Sequence, residues 1–580
     1  MITHKESKKV LAPISKENNI EIYRLTLAGM YIWAEELKNV FYTWAPLGGR
    51  DHSIRQWWFP NSAEAMYQYG SPLLATVDSE DKNSVTVSLS DTVSRSKLTV
   101  SVDDLNQKDQ IIFSVDIEES TRLSRNGEVL LRIDRRRVNY CQAISEAGEW
   151  MRSFLAQNRC LSPVPPNAEV PLYSSWYNFH QEPEATLLEK ELELAAQMGF
   201  RTFILDDGWQ FEGHNTGDYY KCGDWAVAKD KFPDFNRFCN RVHALGFKML
   251  LWFPVPFVGY ATEDYNRLKN KIAYNSDAHR AGVLDVRYPE IRAYIIGIYE
   301  RFVKEYGIDG LKLDFVDAFR TDPANIPPFS EGMDVENLDD ATVTLMDEIY
   351  AKLTANNPDF LIEFRQCYIG AAIVNRCNML RVADCAADSA TNRIGIAALR
   401  LVNAGTAIHS DMLLWGKNES PLNCTRQLLN IMFSVPQISV RLTETNDDQL
   451  AVLHHFIKYW TDNREILLHG QFLALHPDAN YTVMSADNGI KKITVLSGEP
   501  LFEPCGRPED VFNNTACDYI ISAGGNYPDN SGNSVNDGSL EYEVYDMFGS
   551  TIDSDASDNN FSIVSPKKFH VPKGGMLRIK

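Results

Sequence analysis

Residues near the start of the chain alternate between apolar and polar over short runs. This is the pattern of antiparallel strands that bury one face and expose the other. Serine, aspartate, asparagine and glycine separate the runs, as turns require. We therefore predict an N-terminal β-sandwich over residues 1–165. The clearest predicted strands are SVTVSLS (84–90), KLTVSV (97–102), QIIFSVDI (110–117) and EVLLRIDRR (128–136).

The pattern changes after residues 161–171, LSPVPPNAEVP, whose prolines forbid helix and predict a linker. From there to about residue 465, strand-like apolar runs alternate with amphipathic helical stretches. Eight such units are the count of a (β/α)8 barrel. The predicted strands are LYSSWYNF (172–179), RTFILDDGW (201–209), KMLLWFPVPFV (248–258), GLKLDFVDAF (310–319), FLIEFRQCY (360–368), MLRVADC (379–385), GTAIHSDML (405–413) and ISVRL (438–442).

The C-terminal part returns to short β-like runs between glycine, asparagine and aspartate, such as LEYEVYDMFGS (540–550) and GGMLRIK (574–580). A chain of 580 residues also exceeds what a single core usually organises. We therefore predict a multidomain α/β plus all-β protein. Its central (β/α)8 TIM barrel spans 166–465, between the N-terminal sandwich and a smaller C-terminal antiparallel β-sandwich over 466–580.

Charge excludes two classes of partner. Lys and Arg number 57 against 78 Asp and Glu, so the formal net charge is −21. Such a surface repels phosphate backbones and anionic membranes. No window reaches the roughly 18 consecutive apolar residues of a membrane span. We expect neither nucleic acid nor a membrane as a partner, and leave open whether the protein forms a homo-oligomer.

The N-terminal sequence MITHKESKKVLAPISKENN lacks the apolar run of a secretory signal. The ten cysteines are scattered, with no CxxC and no zinc-type spacing. These features predict a cytoplasmic protein with no metal site, although removal of a signal peptide would leave the same picture. Aromatic residues make up 11% of the chain, which suits sugar stacking but is also common in large β-domains.

Acidic side chains end several of the predicted barrel strands. Such groups resist burial unless they are paired or used in chemistry, and barrel enzymes place catalytic residues at the C-terminal ends of strands. Lys312 and Asp314 point to the same side of one strand, where the ammonium lowers the pKa of the carboxyl, as a nucleophile requires. The strand-end aspartates are Asp206, Asp207, Asp314, Asp384 and Asp411.

Four short strings together resemble the α-galactosidase (melibiase) superfamily of retaining glycoside hydrolases, families 36 and 27. They are LDDGWQ (205–210), GDW (223–225), KLD (312–314) and AD (383–384). The resemblance covers about residues 170–465, and the flanking β-domains fit the layout of family 36. It implies an exo-glycosidase that cleaves terminal α-galactosyl or closely related residues of an oligosaccharide or glycoside, through a covalent glycosyl-aspartate and without a cofactor.

The resemblance implies that Asp314 is the nucleophile and Asp384 the acid/base. A retaining glycosidase needs two carboxyl groups about 5–5.5 Å apart, one ionised and one protonated. The apolar neighbours of Asp384 would raise its pKa. The alternatives are that Asp314 forms a buried salt bridge and that Asp384 caps the helix beginning near Ser389. Asp388 is the rival acid and the better candidate for the cap.

The same resemblance implies substrate-binding roles. Two adjacent carboxylates, Asp206 and Asp207, suit the hydroxyls at C4 and C6 of the sugar, although they also fit a structural turn before Gly208. The three tryptophans are pocket walls or core residues. The complete predicted binding set is Asp206, Asp207, Trp209, Asp224, Trp225, Trp252, Lys312, Cys367 and Arg381.

Three strings depart from the family pattern. Because the changes fall where the C2 substituent and the aglycone bind, the sugar stays open, with α-N-acetylgalactosamine and β-L-arabinopyranose as alternatives to α-galactose. Arg381 also stands three residues before Asp384, where the family 27 arginine stands four before. The departures are WFPVPFV (252–258) for WFEPEMV, FRQCYIGAA (364–372, with Cys367 kept and Arg365 added) for SCxGGG, and ADCAADSATNR (383–393) for SDxTDxxxR.

The sequence supports three other functions to different degrees. A transglycosidase of the raffinose-synthase type shares the same dyad. A catalytically dead carbohydrate-binding protein is disfavoured by the complete KLD and AD pair. A metal-dependent isomerase or lyase lacks support from any HxH or HExxH spacing. His409, Ser410 and Asp411 resemble a triad only in composition, because adjacent residues of a strand cannot converge on one atom.

Overall fold

The computed structural model describes residues 1–36, 42–46, 61–102, 110–118, 129–155, 162–214, 216–523, 539–552, 560–562 and 565–580. The four clearest predicted N-terminal strands are present within these ranges. The N-terminal strands are β1 (Ile2–His4), β2 (Val10–Leu11), β3 (Ser15–Glu17), β4 (Ile20–Leu25), β5 (Gly29–Glu36), β6 (Tyr42–Trp44), β7 (Asn61–Ala65), β8 (Leu73–Val77), β9 (Asn83–Leu89), β10 (Ser96–Val102), β11 (Gln110–Ile117) and β12 (Val129–Asp134).

These strands form two antiparallel sheets, in the orders β2-β1-β5-β11-β10-β7 and β3-β4-β12-β9-β8-β6. The alternation read from the sequence explains the packing, because every second residue of β11 is buried. Trp33, Leu98, Phe113, Leu131 and Ile133 belong to the core shared by the two sheets. Helix α1 (Tyr140–Arg152) follows, with the side chain of its cap accepting a hydrogen bond from the first turn.

The central part is the predicted parallel barrel. Eight strands lie in the order β22-β21-β20-β19-β15-β14-β13-β23, and bridges from His409 to Val435 and from Leu413 to Ile438 join the two ends. The strands of this part are β13 (Leu172–Ser174), β14 (Thr202–Leu205), β15 (Lys248–Pro254), β16 (Phe257–Gly259), β17 (Ile272–Ser276), β18 (Ala281–Leu284), β19 (Gly310–Asp314), β20 (Leu361–Arg365), β21 (Met379–Arg381), β22 (Ala407–His409) and β23 (Gln437–Ile438).

Helices separate the barrel strands, as the apolar periodicity predicts. Pro289 opens one helix and Gly307, with φ +65°, ends it. Strands β16 to β18 form a small antiparallel sheet in the loop after β15. The helices are α2 (Trp176–Phe179), α3 (Ala185–Met198), α4 (Phe235–Ala244), α5 (Glu263–Leu268), α6 (Pro289–Tyr306), α7 (Leu338–Thr354), α8 (Ala371–Val374), α9 (Ser389–Val402), α10 (Pro421–Asn430), α11 (Asp447–Asp462) and α12 (Arg464–His469).

The barrel strands are shorter than predicted at several carboxyl ends. The prediction of strand over 172–179 is wrong beyond Ser174, because Trp176–Phe179 forms a helical turn. Strand β19 likewise stops at Asp314, where Phe315 takes φ +59° and a 3₁₀ turn follows. These early stops turn the chain outward and leave the strand-end side chains at the mouth of the barrel.

The C-terminal sheets have the orders β24-β25-β26-β28-β33-β30-β31 and β27-β29-β32. Most pairs are antiparallel, but β26 with β28 and β27 with β29 run parallel. Among the described residues, no helix combines the length and apolarity needed to cross a membrane. The strands are β24 (Gln471–Leu475), β25 (Val483–Asp487), β26 (Lys492–Leu496), β27 (Leu501–Phe502), β28 (Glu509–Asn513), β29 (Ile520–Ser522), β30 (Ser539–Tyr545), β31 (Asn560–Ser562), β32 (Lys567–Phe569) and β33 (Met576–Ile579).

Candidate active site

The carboxyl ends of five barrel strands bring the acidic residues together with three cations. Asp314 ends β19, Arg365 ends β20 and Arg381 ends β21, and the two arginines are paired in register across β20 and β21. Asp206 follows β14, and Asp411 follows β22. Because parallel strands share one edge, these groups all lie at the same mouth.

Asp314 is buried and hydrogen-bonded on both oxygens. Its Oδ1 accepts from Arg365 Nε at 2.6 Å and from the backbone N–H of Phe315 at 2.8 Å, while Oδ2 accepts from Trp252 Nε1 at 3.1 Å. Burial alone would raise the pKa of Asp314, but the charges of Arg365, Lys312 and Arg381 outweigh it. The pKa of Asp314 is therefore held well below its usual range, and the group is a carboxylate at neutral pH.

Lys312 contacts a different carboxylate from the one expected. Its Nζ lies 2.6 Å from Asp206 Oδ2, and both side chains are buried. The charge of Lys312 still lowers the pKa of Asp314, but the direct partner of Asp314 is Arg365. The predicted effect of Lys312 on the pKa of Asp314 is thus confirmed, although the direct partner of Lys312 is Asp206. Alternation places both side chains on the interior, but the neighbouring strands decide which groups touch.

Asp206 and Asp207 lie at the end of β14, where the chain turns sharply. Asp207 accepts from Gln181 Nε2 and from Gln210 Nε2, each at 2.6 Å. Burial raises the pKa of Asp207 to about 6 despite these bonds. Gly208 has φ +104°, and a Cβ there would lie 2.5 Å from the backbone of Gln181. The turn therefore requires glycine, and it directs both carboxylates into the site.

Asp384 follows β21 and is more open than the other acids, with 59% of its side chain exposed. Its Oδ1 lies 2.8 Å from Arg381 Nη1. Partial burial would raise the pKa of Asp384, but Arg381 and Lys312 lower it below the usual range. The expectation that apolar neighbours raise this pKa is therefore wrong. Burial is the largest single influence, but the charges of Arg381, Lys312 and Arg365 together outweigh it. Asp314 also acts electrostatically on Asp384, so the two belong to one site.

The alternative role of Asp384 as a helix cap is filled by its neighbour. Asp388 is the N-cap of α9, with Oδ1 accepting from the backbone N–H of Thr391 at 3.1 Å. Asp388 also accepts from the Thr391 hydroxyl at 2.8 Å. Helix capping therefore explains Asp388 and leaves the carboxyl of Asp384 at the mouth.

Arg381 is fully buried and surrounded by three carboxyl groups. Its Nη1 contacts Asp411 Oδ1 as well as Asp384, and its Nε lies 3.6 Å from Glu363 Oε1. Glu363 also accepts from Gln437 Nε2 at 2.6 Å. Burial raises the pKa of Glu363 to about 7 against the opposing charges of Arg381 and Lys312.

His409 belongs to this interior layer but has a structural role. Its Nε2 lies 2.7 Å from the backbone oxygen of Ala168, and its Nδ1 lies 3.0 Å from Gln437 Nε2. Burial lowers the pKa of His409 to about 3, so the ring is neutral. This agrees with the expectation that His409, Ser410 and Asp411 are not a catalytic triad.

Aromatic side chains line one side of the site. Tyr219 stacks on Trp252 with ring centroids 6.0 Å apart and contacts Phe315 edge to face at 4.8 Å. Phe257 and His279 pack behind them. Burial is the main cause that raises the pKa of Tyr219, and the charges of Asp207 and Asp314 raise it further. The Tyr219 hydroxyl therefore lies near both acids. Of the three tryptophans predicted to bind substrate, Trp252 is the one that contacts a site carboxylate.

Trp209 and Trp225 are placed in the core. Trp209 is fully buried, packs edge to face against Phe302 with centroids 4.9 Å apart, and donates to the backbone oxygen of Trp252 at 3.1 Å. Trp225 contacts Trp209 and Phe253. These contacts favour the core alternative, in which both rings support the wall rather than form it.

Asp224 and Cys367 lie at the margins. Asp224 is exposed, and its Oδ1 accepts from the backbone N–H of Asp264 in the first turn of α5 at 3.0 Å. Cys367 is half-buried. Burial raises the pKa of its thiol, the charge of Asp317 raises it further, and the charge of Arg365 lowers it. Neither contact tests the predicted binding roles of these residues.

Arg365 and Glu363 are the functional candidates that sequence reasoning missed. Arg365 lies in FRQCYIGAA (364–372), and Glu363 directly precedes it. The departure of this string from the family pattern was the sequence feature that could have identified them. Arg365 also contacts Asp317 Oδ1 at 3.2 Å, and its guanidinium lies over the rings of Phe315 and Tyr368. Among the described residues, no group of three or more His, Cys, Asp or Glu side chains is arranged to hold a metal ion.

Comparison with known proteins identifies similar sequences for part of the chain. Residues 147–398 match the family model of Melibiase. Alpha-galactosidase Mel36A of Lactobacillus acidophilus is 29% identical over 149 residues, which is 25% of this chain and 19% of that protein. Alpha-galactosidase 1 of Pediococcus pentosaceus is 29% identical over 133 residues, or 22% of this chain and 18% of that protein. The matches thus span about a fifth of these relatives' length.

Solved structures with the same fold extend over nearly the whole chain. The GH36 alpha-galactosidase AgaA of Geobacillus stearothermophilus aligns with a TM-score of 0.63 at 15% identity, covering 97% of this chain and 80% of that one. The alpha-galactosidase of Lactobacillus brevis gives 0.62 at 14% identity, covering 97% and 78%. A variant of AgaA has been solved in complex with raffinose. At these identities the likeness shows the fold.

Proposed function

Because the chain belongs to the α-galactosidase (melibiase) superfamily and is family 36-like, we propose that it is a retaining exo-glycoside hydrolase. The proposed substrate is a terminal α-galactosyl residue, or a closely related one, on an oligosaccharide or glycoside. The names of the relatives and the raffinose complex of a structural neighbour support this substrate class. The proposed mechanism passes through a covalent glycosyl-aspartate.

In the first step, Asp314 attacks the anomeric carbon while the glycosidic oxygen leaves. The low pKa of Asp314 supports this role, because attack needs an ionised carboxylate. Asp384 gives a proton to the departing oxygen. Since the pKa of Asp384 lies below its usual range in the free protein, this step uses the protonated minority form, which a bound sugar favours by covering the exposed carboxyl. In the second step, Asp384 takes a proton from water, whose oxygen displaces Asp314, so the sugar leaves with its starting configuration. The single observation that carries the proposal is the ionised Asp314 acting on Asp384 across one barrel mouth.

Substrate binding is proposed for the residues around this pair. Asp206 and Asp207 offer carboxylate oxygens to hydroxyl groups, and Lys312 donates to a neighbouring hydroxyl. Trp252, with Tyr219 against it, presents an aromatic face to the sugar ring. Arg381 is proposed to act from inside the barrel through its contact with Asp384. Cys367 and Asp224 remain proposals at the margin of the site, and Trp209 and Trp225 act through the core that holds Trp252.

A panel of nitrophenyl glycosides tests the activity and the sugar together. The α-galactoside is expected to give the highest kcat/KM, and the panel also includes the α-N-acetylgalactosaminide, the β-L-arabinopyranoside and the α-glucoside. D314A is expected to reduce turnover by at least about 10⁴-fold, because the nucleophile is lost. Unchanged hydrolysis by D314A would exclude Asp314 as the nucleophile.

The acid/base assignment needs a separate variant. D384A is expected to turn over a dinitrophenyl glycoside slowly, since the leaving group departs without a proton but water is no longer activated. Added azide should restore turnover and yield a glycosyl azide of retained configuration. D388N is the matched control, because Asp388 caps α9 and its loss should leave azide without effect. Azide rescue in D388N but not in D384A would reverse the assignment.

Two alternatives are separated by simple additions. A transglycosidase would transfer the sugar to an added acceptor in preference to water, which product analysis detects. A metal-dependent isomerase or lyase would lose activity after dialysis against EDTA, whereas the proposed hydrolase should keep it within about twofold, because no step uses an ion.

A further inference from the structure

Two carboxylates share one nitrogen of Arg381. Its Nη1 contacts Asp411 Oδ1 and also lies 2.8 Å from Asp384 Oδ1. Asp411 is fully buried behind the site, whereas Asp384 is exposed at the mouth. The mechanism above uses Asp384 but gives no task to Asp411. A buried carboxylate tied to the acid/base through a shared arginine is therefore unexplained.

Asp411 is held firmly as an acceptor. Its Oδ2 accepts from the Tyr177 hydroxyl at 2.8 Å and from the backbone N–H of Cys385 at 2.7 Å. Its own backbone N–H donates to Asn392 Oδ1 at 3.0 Å, and its backbone oxygen accepts from Asn392 Nδ2. The bond to Cys385 also joins Asp411 to the residue beside Asp384. The position of Asp384 is thus tied to Asp411 through both the arginine and the backbone.

We propose, building on the function proposed above, that Asp411 is a positioning residue for the acid/base step. Its carboxylate balances part of the charge of Arg381, so that Arg381 lowers the pKa of Asp384 less far and a larger fraction of Asp384 holds a proton when the glycosidic oxygen arrives. Without Asp411, the charge of Arg381 would act on Asp384 with less compensation and would keep Asp384 ionised down to a lower pH. Asp411 itself need not contact the substrate.

Charged groups on the neighbouring elements also affect the pKa values of Asp384 and Asp411. Burial raises the pKa of Asp411, Asp384 adds to the rise and Arg381 opposes it, so the two acids and the arginine form one electrostatic unit. The buried Nε and Nη2 of Arg381 have no hydrogen-bond partner among the described residues, which leaves Nη1 as its contact to both acids. The titratable groups around the unit are Lys312 and Asp314 on β19, Glu363 and Arg365 on β20, His409 on β22, Tyr177 in α2, and Cys385 and Asp388 after β21.

The test compares pH profiles of kcat/KM, which report glycosylation alone. In the wild-type enzyme the basic limb should follow the loss of the proton from Asp384, whose pKa lies below the usual range in the free protein. D411N keeps the shape but removes the charge, so Arg381 is less compensated and the pKa of Asp384 falls. The basic limb is expected to move down by about one pH unit or more. D388N, which removes a nearby carboxylate that caps α9, should leave the limb within about 0.3 pH units.

Leaving groups provide the readout that structural damage would not mimic. At pH 7.5, D411N should lower kcat/KM at least about tenfold for a disaccharide, whose leaving oxygen needs a proton. It should leave kcat/KM for the dinitrophenyl glycoside of the same sugar within about threefold. Y177F removes the hydroxyl that donates to Asp411. Because the Tyr177 ring is only half-buried, this variant replaces D411N in the test if D411N does not fold. It should move the basic limb in the same direction by a smaller amount, because the ionised form of Asp411 is less stabilised.

The outcomes separate this inference from the proposed function. A basic limb that D384N leaves in place, or a wild-type enzyme with no glycosidase activity, would overturn both. A limb that disappears in D384N but is unmoved in D411N and Y177F would overturn the role of Asp411 alone. Equal losses for both leaving groups in D411N would show a general structural effect and would also overturn it.

Discussion

Replacing Arg365 by glutamine removes the cation that contacts the proposed nucleophile. Arg365 Nε donates to Asp314 Oδ1 at 2.6 Å, and its charge is the largest influence that lowers the pKa of Asp314. Glutamine retains length and a donor but carries no charge. Asp314 would keep its bonds from Trp252 and from the backbone of Phe315, so the geometry of the carboxylate should change little.

The size of the effect follows from the geometry. The charge centres of this ion pair are about 4 Å apart, which corresponds to about 4 kcal/mol at an effective dielectric constant near 20. Solvent screens part of this interaction, because 15% of the Arg365 side chain and 11% of the Asp314 side chain are exposed. We therefore expect R365Q to raise the pKa of Asp314 by about 1 to 3 pH units.

The assay is the pH profile of kcat/KM with a nitrophenyl glycoside. A carboxylate nucleophile is active only when ionised, so activity is lost as the pH falls through its pKa. In R365Q the acid limb should move up by about 1 to 3 pH units. Above pH 6, where Asp314 is ionised in both proteins, kcat/KM should fall much less. R365K keeps the charge and is expected to hold the limb within about 0.5 pH units.

Asp317 gives a second control. It binds the other arm of Arg365 at 3.2 Å, so D317N loosens the arginine without removing its charge. Loss of this neighbouring negative charge should lower, not raise, the pKa of Asp314. An acid limb that is identical in wild type and R365Q, or that rises equally in R365K, would refute the reasoning.

Three further predictions concern neighbours of the pair. W252F removes the 3.1 Å bond to Asp314 Oδ2, and we expect kcat/KM to fall about tenfold with a smaller upward movement of the acid limb. Since the pKa of Asp207 is about 6, the wild-type KM should rise below that pH as the carboxyl gains a proton, whereas D207N should show a raised KM that does not change with pH. Because the pKa of Glu363 is raised to about 7, the folded protein binds this proton more tightly than the unfolded chain. That stabilisation is complete below about pH 4 and is lost as the pH rises through 7, amounting to about 3 kcal/mol. E363Q should therefore flatten the decline of the free energy of unfolding between pH 5 and pH 8, which denaturant titration measures, and an unaltered slope would contradict the assignment.

Local sequence patterns predicted the architecture and the strand-end acids because both depend on short-range features. Period-two alternation marks strands, and residues that end a parallel barrel strand must lie at one mouth. That reasoning predicts that Asp206, Asp314 and Asp384 lie together at the barrel mouth. It could not set the length of each strand, since Phe315 ends β19 by taking a positive φ that no motif announces.

Contacts across strands were harder to predict. Lys312 shares β19 with Asp314, and Arg365 lies on the neighbouring β20; both charges lower the pKa of Asp314. Lys312 contacts Asp206 instead, because the closed barrel brings the end of β14 within range of the Lys312 ammonium. The pKa of Asp384 was mispredicted for the same reason, because its sequence neighbours are apolar while Arg381 reaches it from inside the barrel. Trp209 likewise enters the core because Gly208 reverses the chain before it.

Trapping the covalent intermediate tests the central claim most directly. Incubation with a fluorinated glycosyl fluoride of the preferred sugar slows the second step, and mass spectrometry of peptic peptides locates the ester. The account predicts one sugar attached to Asp314 in the peptide that contains KLDFVDAF, with first-order loss of activity. An ester on Asp384 or on any other residue, or complete turnover with inverted configuration and no adduct, would contradict it.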